Sequence, residues 1–195
     1  MPVEIESKFR VASHDPIRAR LVSLGATRVG EVVELNRIYD RQDGELRKGG
    51  CGLRVRSFRS GSDGARRGTI TFKGPIQPGR VKTREEIEVE VSDAAATAVL
   101  LKRLNFVTRL TYEKRRESWT LPPCKIELDT PPRIGFFVEI EGPDVASILH
   151  LQEKIGLPDQ THVRQSYVRM LWEYCDANNI MPRELYLNQE PGAAG

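Results

Sequence analysis

Charged and apolar residues alternate with a strict period of two in segment after segment of this chain, and that pattern narrows the folds open to it. In Val3-Glu4-Ile5-Glu6-Ser7-Lys8-Phe9-Arg10-Val11, the side chains of Glu4, Glu6 and Lys8 fall between Val3, Ile5, Phe9 and Val11. A β-strand turns successive side chains to opposite faces, so this spacing predicts one charged and one largely apolar face. The code returns as Arg54 and Arg56 beside Leu53 and Val55, and as Thr69, Thr71 and Lys73 against Ile70 and Phe72. Lys82, Arg84, Glu86, Glu88 and Glu90 oppose Ile87, Val89 and Val91, and Lys114 and Arg116 share a face after Tyr112. Lys125, Glu127 and Asp129 oppose Ile126 and Leu128, and Glu139 and Glu141 oppose Val138 and Ile140.

For any single strand, alternation describes an antiparallel ribbon with one face in water. Taken together the segments say more. Lysine, arginine and glutamate are disfavoured on strands, and here the sign of charge is sorted by strand, basic pairs on some and acidic pairs on others. An antiparallel sheet closed into a barrel accounts for this, its charged faces turned inward and its apolar faces packed under helices. Arginine forks and lysine ammoniums are natural phosphate ligands. Carboxylates beside them would repel phosphate unless a divalent cation stood between, since Mg²⁺ takes carboxylate oxygens and shares substrate phosphates. The two clusters together predict a polyphosphate held with Mg²⁺ or Mn²⁺.

The expected fold class is α+β, with strands near 3–11, 28–40, 53–58, 69–74, 82–91, 106–121 (two strands or one bent strand), 124–130 and 135–142. Asp15-Pro16 opens a helix that Gly25 closes, and Ser92-Asp93 opens another. Further helices are expected at 144–155 and 162–175. Gly44 to Gly52 reads as a glycine-rich turn, and Ser57 to Gly68 as a polar loop whose Arg59, Arg66 and Arg67 lack the interleaved aromatics of a nucleic-acid surface. Residues 1–175 are expected to form one domain and 176–195 a weakly ordered tail, with Met181, Leu185 and Leu187 its apolar patch.

With 30 basic and 27 acidic residues the net charge of +3 is too small to imply a nucleic acid or membrane partner. Cys51, Cys124 and Cys175 form no metal-ligand spacing, and the start lacks the regions of a signal peptide, so a cytoplasmic location is expected. His14, His150 and His162 sit in or beside helices and read as solvated. Trp119 and Trp172 read as packing residues.

Glu4-x-Glu6-x-Lys8 resembles the signature of the CYTH superfamily, the triphosphate tunnel metalloenzymes. This family includes class IV adenylate cyclases, thiamine triphosphatases and inorganic triphosphatases. The resemblance runs through Leu53-Arg54-Val55-Arg56, Thr71-Phe72-Lys73-Gly74, Arg84-Glu85-Glu86 and Lys114-Arg115-Arg116 to Glu127-Leu128-Asp129. It ends in Gly135–Glu141 and in Gln165-Ser166-Tyr167 with Met170-Leu171, similar to the last helix of bacterial class IV cyclase-like members. It implies a closed eight-stranded antiparallel barrel with helices outside. It also implies metal binding by Glu4, Glu6, Glu139 and Glu141, with Asp129 joining them or holding a metal water. Lys8, Arg54, Arg56, Lys73, Arg84, Lys114 and Arg116 would grip the triphosphate, Lys8, Lys73 and Arg116 acting as catalytic groups. By parity Arg115 should face outward, and Lys82 competes with Arg84 for the same role. Where the family often has an aromatic pair before the strand-two aspartate, this chain reads Ile38-Tyr39-Asp40.

The activity expected from the Ser166-Tyr167 pattern is that of a class IV adenylate cyclase, converting ATP to cAMP and pyrophosphate. Hydrolysis of tripolyphosphate or thiamine triphosphate uses the same ligands and is the alternative; a non-catalytic polyphosphate or nucleotide binder is a third. The apolar tail and a tilted barrel permit a homodimer.

Overall fold

The structure is a computed structural model that describes residues 3–59 and 67–188. Among these, β1 (Val3–Val11), β2 (Thr27–Arg41), β3 (Gly52–Arg59), β4 (Gly68–Lys73), β5 (Lys82–Val91), β6 (Phe106–Leu121), β7 (Cys124–Thr130) and β8 (Phe136–Glu141) pair in the order β2-β3-β4-β5-β1-β8-β7-β6. A further β2–β6 ladder, running from Thr27↔Thr120 to Arg41↔Phe106, joins the ends and closes an antiparallel barrel. β6, which the sequence left as two strands or one bent strand, is a single strand of 16 residues.

Parity holds around the ring. One set of apolar residues on β1, β7 and β8 turns outward beneath α1 (Asp15–Ser23) and α4 (Val145–Ile155), where Phe9, Ile126, Leu128, Val138 and Ile140 meet Ile17, Leu21, Ile148 and Leu151. Tyr39 and Val55 face α3 (Ala94–Arg103) through Ala94 and Leu101 in a second core. Each fully buried large side chain of this kind contributes roughly 1.5–3 kcal/mol. α1 starts without a side-chain cap, His14 and not Asp15 standing at its N-cap position, whereas α3 and α4 start at capping aspartates. Asp93 accepts from the Ala95 and Ala96 amides at 2.9 Å, and Asp144 from the Ser147 amide at 2.8 Å.

β4 begins at Gly68 because only glycine fits there: a Cβ would come within 2.0 Å of the Arg56 carbonyl oxygen. Most of the polar Ser57–Gly68 stretch, residues 60–66 with Arg66 among them, lies outside the described residues.

Three expectations shift. The Gly44–Gly52 turn contains a short helix, α2 (Glu45–Lys48), its first amides caught by Asp40. The final helix, α5 (Tyr167–Ala177), begins five residues later than the expected 162. Its cap is Ser166, and the preceding stretch is tied to β1 by the Val163 amide donating to the Lys8 carbonyl at 2.7 Å. After α5, Glu184–Leu185 forms β9, parallel to β6 at Thr111 and Tyr112, and Leu185 is buried against Leu110 and Tyr112. Residues 189–195, including Gly192-Ala193-Ala194-Gly195, lie outside the described residues. No helix among the described residues is long and apolar enough to cross a membrane.

α5 differs from the outer helices in what it covers. Its Tyr167, Met170 and Leu171 pack on Leu110, Tyr112 and Phe137, which lie on the inward face with Lys114 and Glu139, so the helix closes off part of the barrel interior.

Candidate active site

Inside the barrel is a cavity of about 400 Å³. Lining it are Glu4, Glu6, Lys8, Arg54, Arg56, Lys73, Arg84, Lys114, Arg116, Glu139 and Glu141, all singled out from the sequence. Lys82 lines it as well, so it shares the inward face with Arg84 rather than replacing it. Arg115 turns out, its side chain 54% exposed and 3.6 Å from Glu31. His14, His150 and His162 all lie away from the cavity, and His14 is buried, with Nε2 2.9 Å from the Phe137 carbonyl oxygen.

The strand-sorted charges become, once the barrel closes, an alternation of sign around its circumference. On β1, Glu4 accepts from Lys73 at 3.1 Å and from Arg84 Nε at 3.1 Å, and Glu6 pairs with Lys82. Lys8 lies 3.2 Å from Glu139 and 3.9 Å from the centroid of the Tyr167 ring. On β6, Arg116 holds Asp129 through two bonds of 2.7 and 2.6 Å and reaches Glu139 at 2.6 Å, while Lys114 donates to Asp129 at 3.0 Å. On β5, Glu86 pairs with Lys73, and Glu88 accepts from Thr71 at 2.7 Å with Arg54 3.4 Å away. The Arg54 Nε–H is buried and finds no acceptor among the described residues.

These pairs set the protonation states. Burial pushes the Glu139 carboxyl up, but Lys8, Arg116 and Lys114 overcome it and hold the group well below the usual carboxylate range. Burial works the same way on Glu86, and the Glu4 and Lys73 contacts bring it down. Lys73 and Lys114 are both lowered, chiefly by burial and then by the neighbouring Arg54 and Arg116 respectively. Burial raises the Tyr112 phenol to about 12.

Asp129, grouped with the metal ligands by resemblance, stands elsewhere. It is wholly buried and does not line the cavity; it lies behind Lys114 and Arg116 and receives both. Glu34 on β2 is a residue that the sequence did not bring forward. At 1% exposure its carboxylate lies 3.2 Å from Arg56, 3.3 Å from Lys114 and 3.8 Å from Arg116. An acidic residue in a strand without a period-two charge code carried no signal; its partners lie on β3 and β6, far off in sequence. Trp119 is a packing residue as expected, but Trp172 lines the cavity with Ile38, Leu53, Ile76 and Val168.

The carboxylates fit a hard divalent cation. Glu6 and Glu141 stand directly opposite each other across β1 and β8, and Glu127 opposite Glu139 across β7 and β8. Like charges in cross-strand register repel, and a cation taking oxygen ligands relieves that repulsion. Among the described residues no three acidic side chains already converge as a cage, because Glu4, Glu6 and Glu139 are turned to lysines and arginines. A metal would exchange with those ammoniums.

Comparison with known proteins agrees with this geometry. A family model of the CYTH domain matches residues 2–167. A Methanocaldococcus jannaschii protein provisionally named adenylate cyclase, MJ0240, is 27% identical over 152 residues, covering 78% of this chain and 81% of its own. The solved structure of the PH1819 protein from Pyrococcus horikoshii superposes with a TM-score of 0.72 at 27% identity, covering 88% of this chain and 99% of that one. HpAC1 from Hippeastrum, provisionally named an adenylyl cyclase and described as having a dominant triphosphatase activity, shares the fold. Its TM-score is 0.67 at 17% identity, over 96% of this chain and 100% of that one.

Proposed function

Since the chain belongs to the CYTH domain family, we propose that it is a divalent-metal-dependent enzyme acting on a triphosphate, of the class IV adenylate cyclase type. The observation that carries this reading is the ring of cations around the cavity, drawn from β1, β3, β4, β5 and β6 and each facing a carboxylate. A site for a simple anion has no use for so many acids. The apolar stretch of Ile38, Leu53, Ile76, Val168 and Trp172 supports an organic group on the phosphate chain.

Arg54, Arg56, Lys73, Arg84, Lys114 and Arg116 grip the phosphate oxygens, and Arg54 offers its Nε–H without breaking an existing bond. Glu4, Glu6, Glu139 and Glu141 are the residues that would hold Mg²⁺ or Mn²⁺. When bound, such an ion neutralises phosphate charge and polarises the phosphoryl oxygens. In cyclisation the ribose 3′-hydroxyl gives up its proton to water, its oxygen bonds to the α-phosphorus, the bond to the α–β bridging oxygen breaks, and pyrophosphate leaves. Lys8, Lys73 and Arg116 act as catalytic groups by stabilising negative charge that builds on the departing oxygens. The Tyr167 ring and the Gln165 carbonyl, which accepts from Lys8 at 3.2 Å, hold the Lys8 ammonium independently of the carboxylates, so little reorganisation is left for the reaction.

Hydrolysis at the terminal phosphorus is the second reading, supported by the HpAC1 description. Purified protein incubated with Mg²⁺ or Mn²⁺ and, separately, ATP, tripolyphosphate or thiamine triphosphate distinguishes the two by product. cAMP with pyrophosphate supports cyclisation, orthophosphate supports hydrolysis, and no turnover of any of them overturns both.

A further inference from the structure

β2 lies between β3 and β6, and Glu34 is the point on it where phosphate-gripping cations of both neighbours meet. Glu34 stands in register with Lys114, while Asn36 stands in register with Arg56 on the other side. One carboxylate oxygen lies 3.2 Å from Arg56 and 3.8 Å from Arg116; the other lies 3.3 Å from Lys114. Asn36, fully buried, completes the arrangement: its carbonyl oxygen accepts from Arg56 Nε at 3.2 Å, and its amide donates to Glu34 at 3.4 Å. Asp129 holds Lys114 and Arg116 from the opposite flank, on β7. Neither Glu34 nor Asn36 lines the cavity, so neither touches a molecule within it.

Cations crowded this closely repel one another and, left alone, would splay along their flexible stems. A carboxylate buried behind them costs anion affinity, because it competes with phosphate for the same donors. What it gains is placement: the donors already point where charge will build, so little rearrangement remains at the transition state. We propose that Glu34 is a positioning residue that presets Arg56, Lys114 and Arg116 for catalysis from behind the cavity wall; this rests on the triphosphate reading above.

A purely structural residue would lower binding and turnover together when replaced. A positioning residue of this kind separates them. In Glu34→Gln, which keeps the shape and the contact with Asn36, tripolyphosphate affinity by calorimetry with Mg²⁺ present should stay within about threefold or tighten, while kcat on ATP or tripolyphosphate falls about tenfold or more. Should that variant fail to fold, Glu34→Asp keeps the charge but withdraws it from the cations and should show the same split. Equal losses in affinity and kcat, or no loss in either, would overturn the inference while leaving the triphosphate reading intact. If the wild-type protein turns over none of ATP, tripolyphosphate and thiamine triphosphate, the triphosphate reading falls and the inference with it; where thiamine triphosphate is the one turned over, kcat is read on it.

Discussion

At the scale of single residues, neighbours in space decide what each tunnel charge can do. Arg54 combines a buried, unengaged Nε–H with looser contacts to Thr71 at 3.2 Å and Glu88 at 3.4 Å, so it is the cation freest to turn to phosphate. A charge-assisted hydrogen bond is worth roughly 1.5–3 kcal/mol, and Arg54→Ala should therefore weaken tripolyphosphate binding about ten- to a hundredfold. Calorimetric affinity equal to that of the wild type would remove Arg54 from the phosphate set. Glu4 stands between Lys73 and Arg84, and Glu4→Gln keeps its volume while deleting its charge. Metal-dependent turnover should be lost with an unchanged circular-dichroism spectrum; a wild-type rate would take Glu4 out of the metal site. What the sequence disclosed at this scale was parity. Lys114, Arg115 and Arg116 could be sorted into in, out and in from spacing alone, and the barrel agrees. Whether an inward charge faces the cavity or stands behind it was illegible, because that depends on which strand lies alongside. Glu34 was therefore overlooked, and the burial of Asp129 behind Lys114 and Arg116 was not foreseen.

Among the elements, α5 carries consequences that its sequence only half declared. The Ser166-Tyr167 pair was legible as a motif, and it serves as cap and as platform: Ser166 accepts from the Arg169 amide at 3.2 Å while Tyr167 underlies Lys8. That the helix packs on the inward face of the sheet, where the other long helices pack outside, was not legible; amphipathic spacing says which face is apolar and not which surface receives it. Leu171 is fully buried in this contact with Leu110, Tyr112 and Phe137. Leu171→Ala should cost about 2–5 kcal/mol in chemical denaturation through transfer and cavity terms. A cost under 1 kcal/mol would mean that the α5 seat is not a packed core. The short strand β9 could not have been foreseen from two residues of polar context, since its pairing partner, Thr111–Tyr112, lies more than seventy positions earlier.

For the molecule as a whole, the tunnel charges link stability to pH. Burial raises Glu34, Glu86 and Glu139, but the cations beside Glu34 and Glu139, and for Glu86 the Glu4 contact followed by Lys73, pull each below its ordinary value. A carboxylate lowered in the folded state contributes stability above its unfolded value, near 4.3, and loses it as pH falls through the folded value. His14 acts earlier. Burial lowers it, so its neutral form is favoured by folding, and the stability it adds above about 6.5 declines as pH drops below that. The melting temperature should accordingly sag modestly below about pH 6.5 and fall steeply below about pH 4.3, with His14→Gln reducing only the first part, to which His162, also lowered by burial, contributes as well. A melting temperature constant from pH 7 to 4 would contradict both assignments.

The alternation of sign around the barrel also makes the resting interior an ion exchanger. Apart from the Arg54 Nε–H, these charges are already paired, so a guest trades places with a partner already bound, cation for ammonium and anion for carboxylate. Chloride or sodium, with one charge each, gains too little to part a desolvated pair. A polyvalent anion arriving with a divalent cation replaces several pairs at once and leaves the sum of charges almost as it was. Such a tunnel selects by valence before shape is consulted, and it does so without any need for a large net charge on the protein.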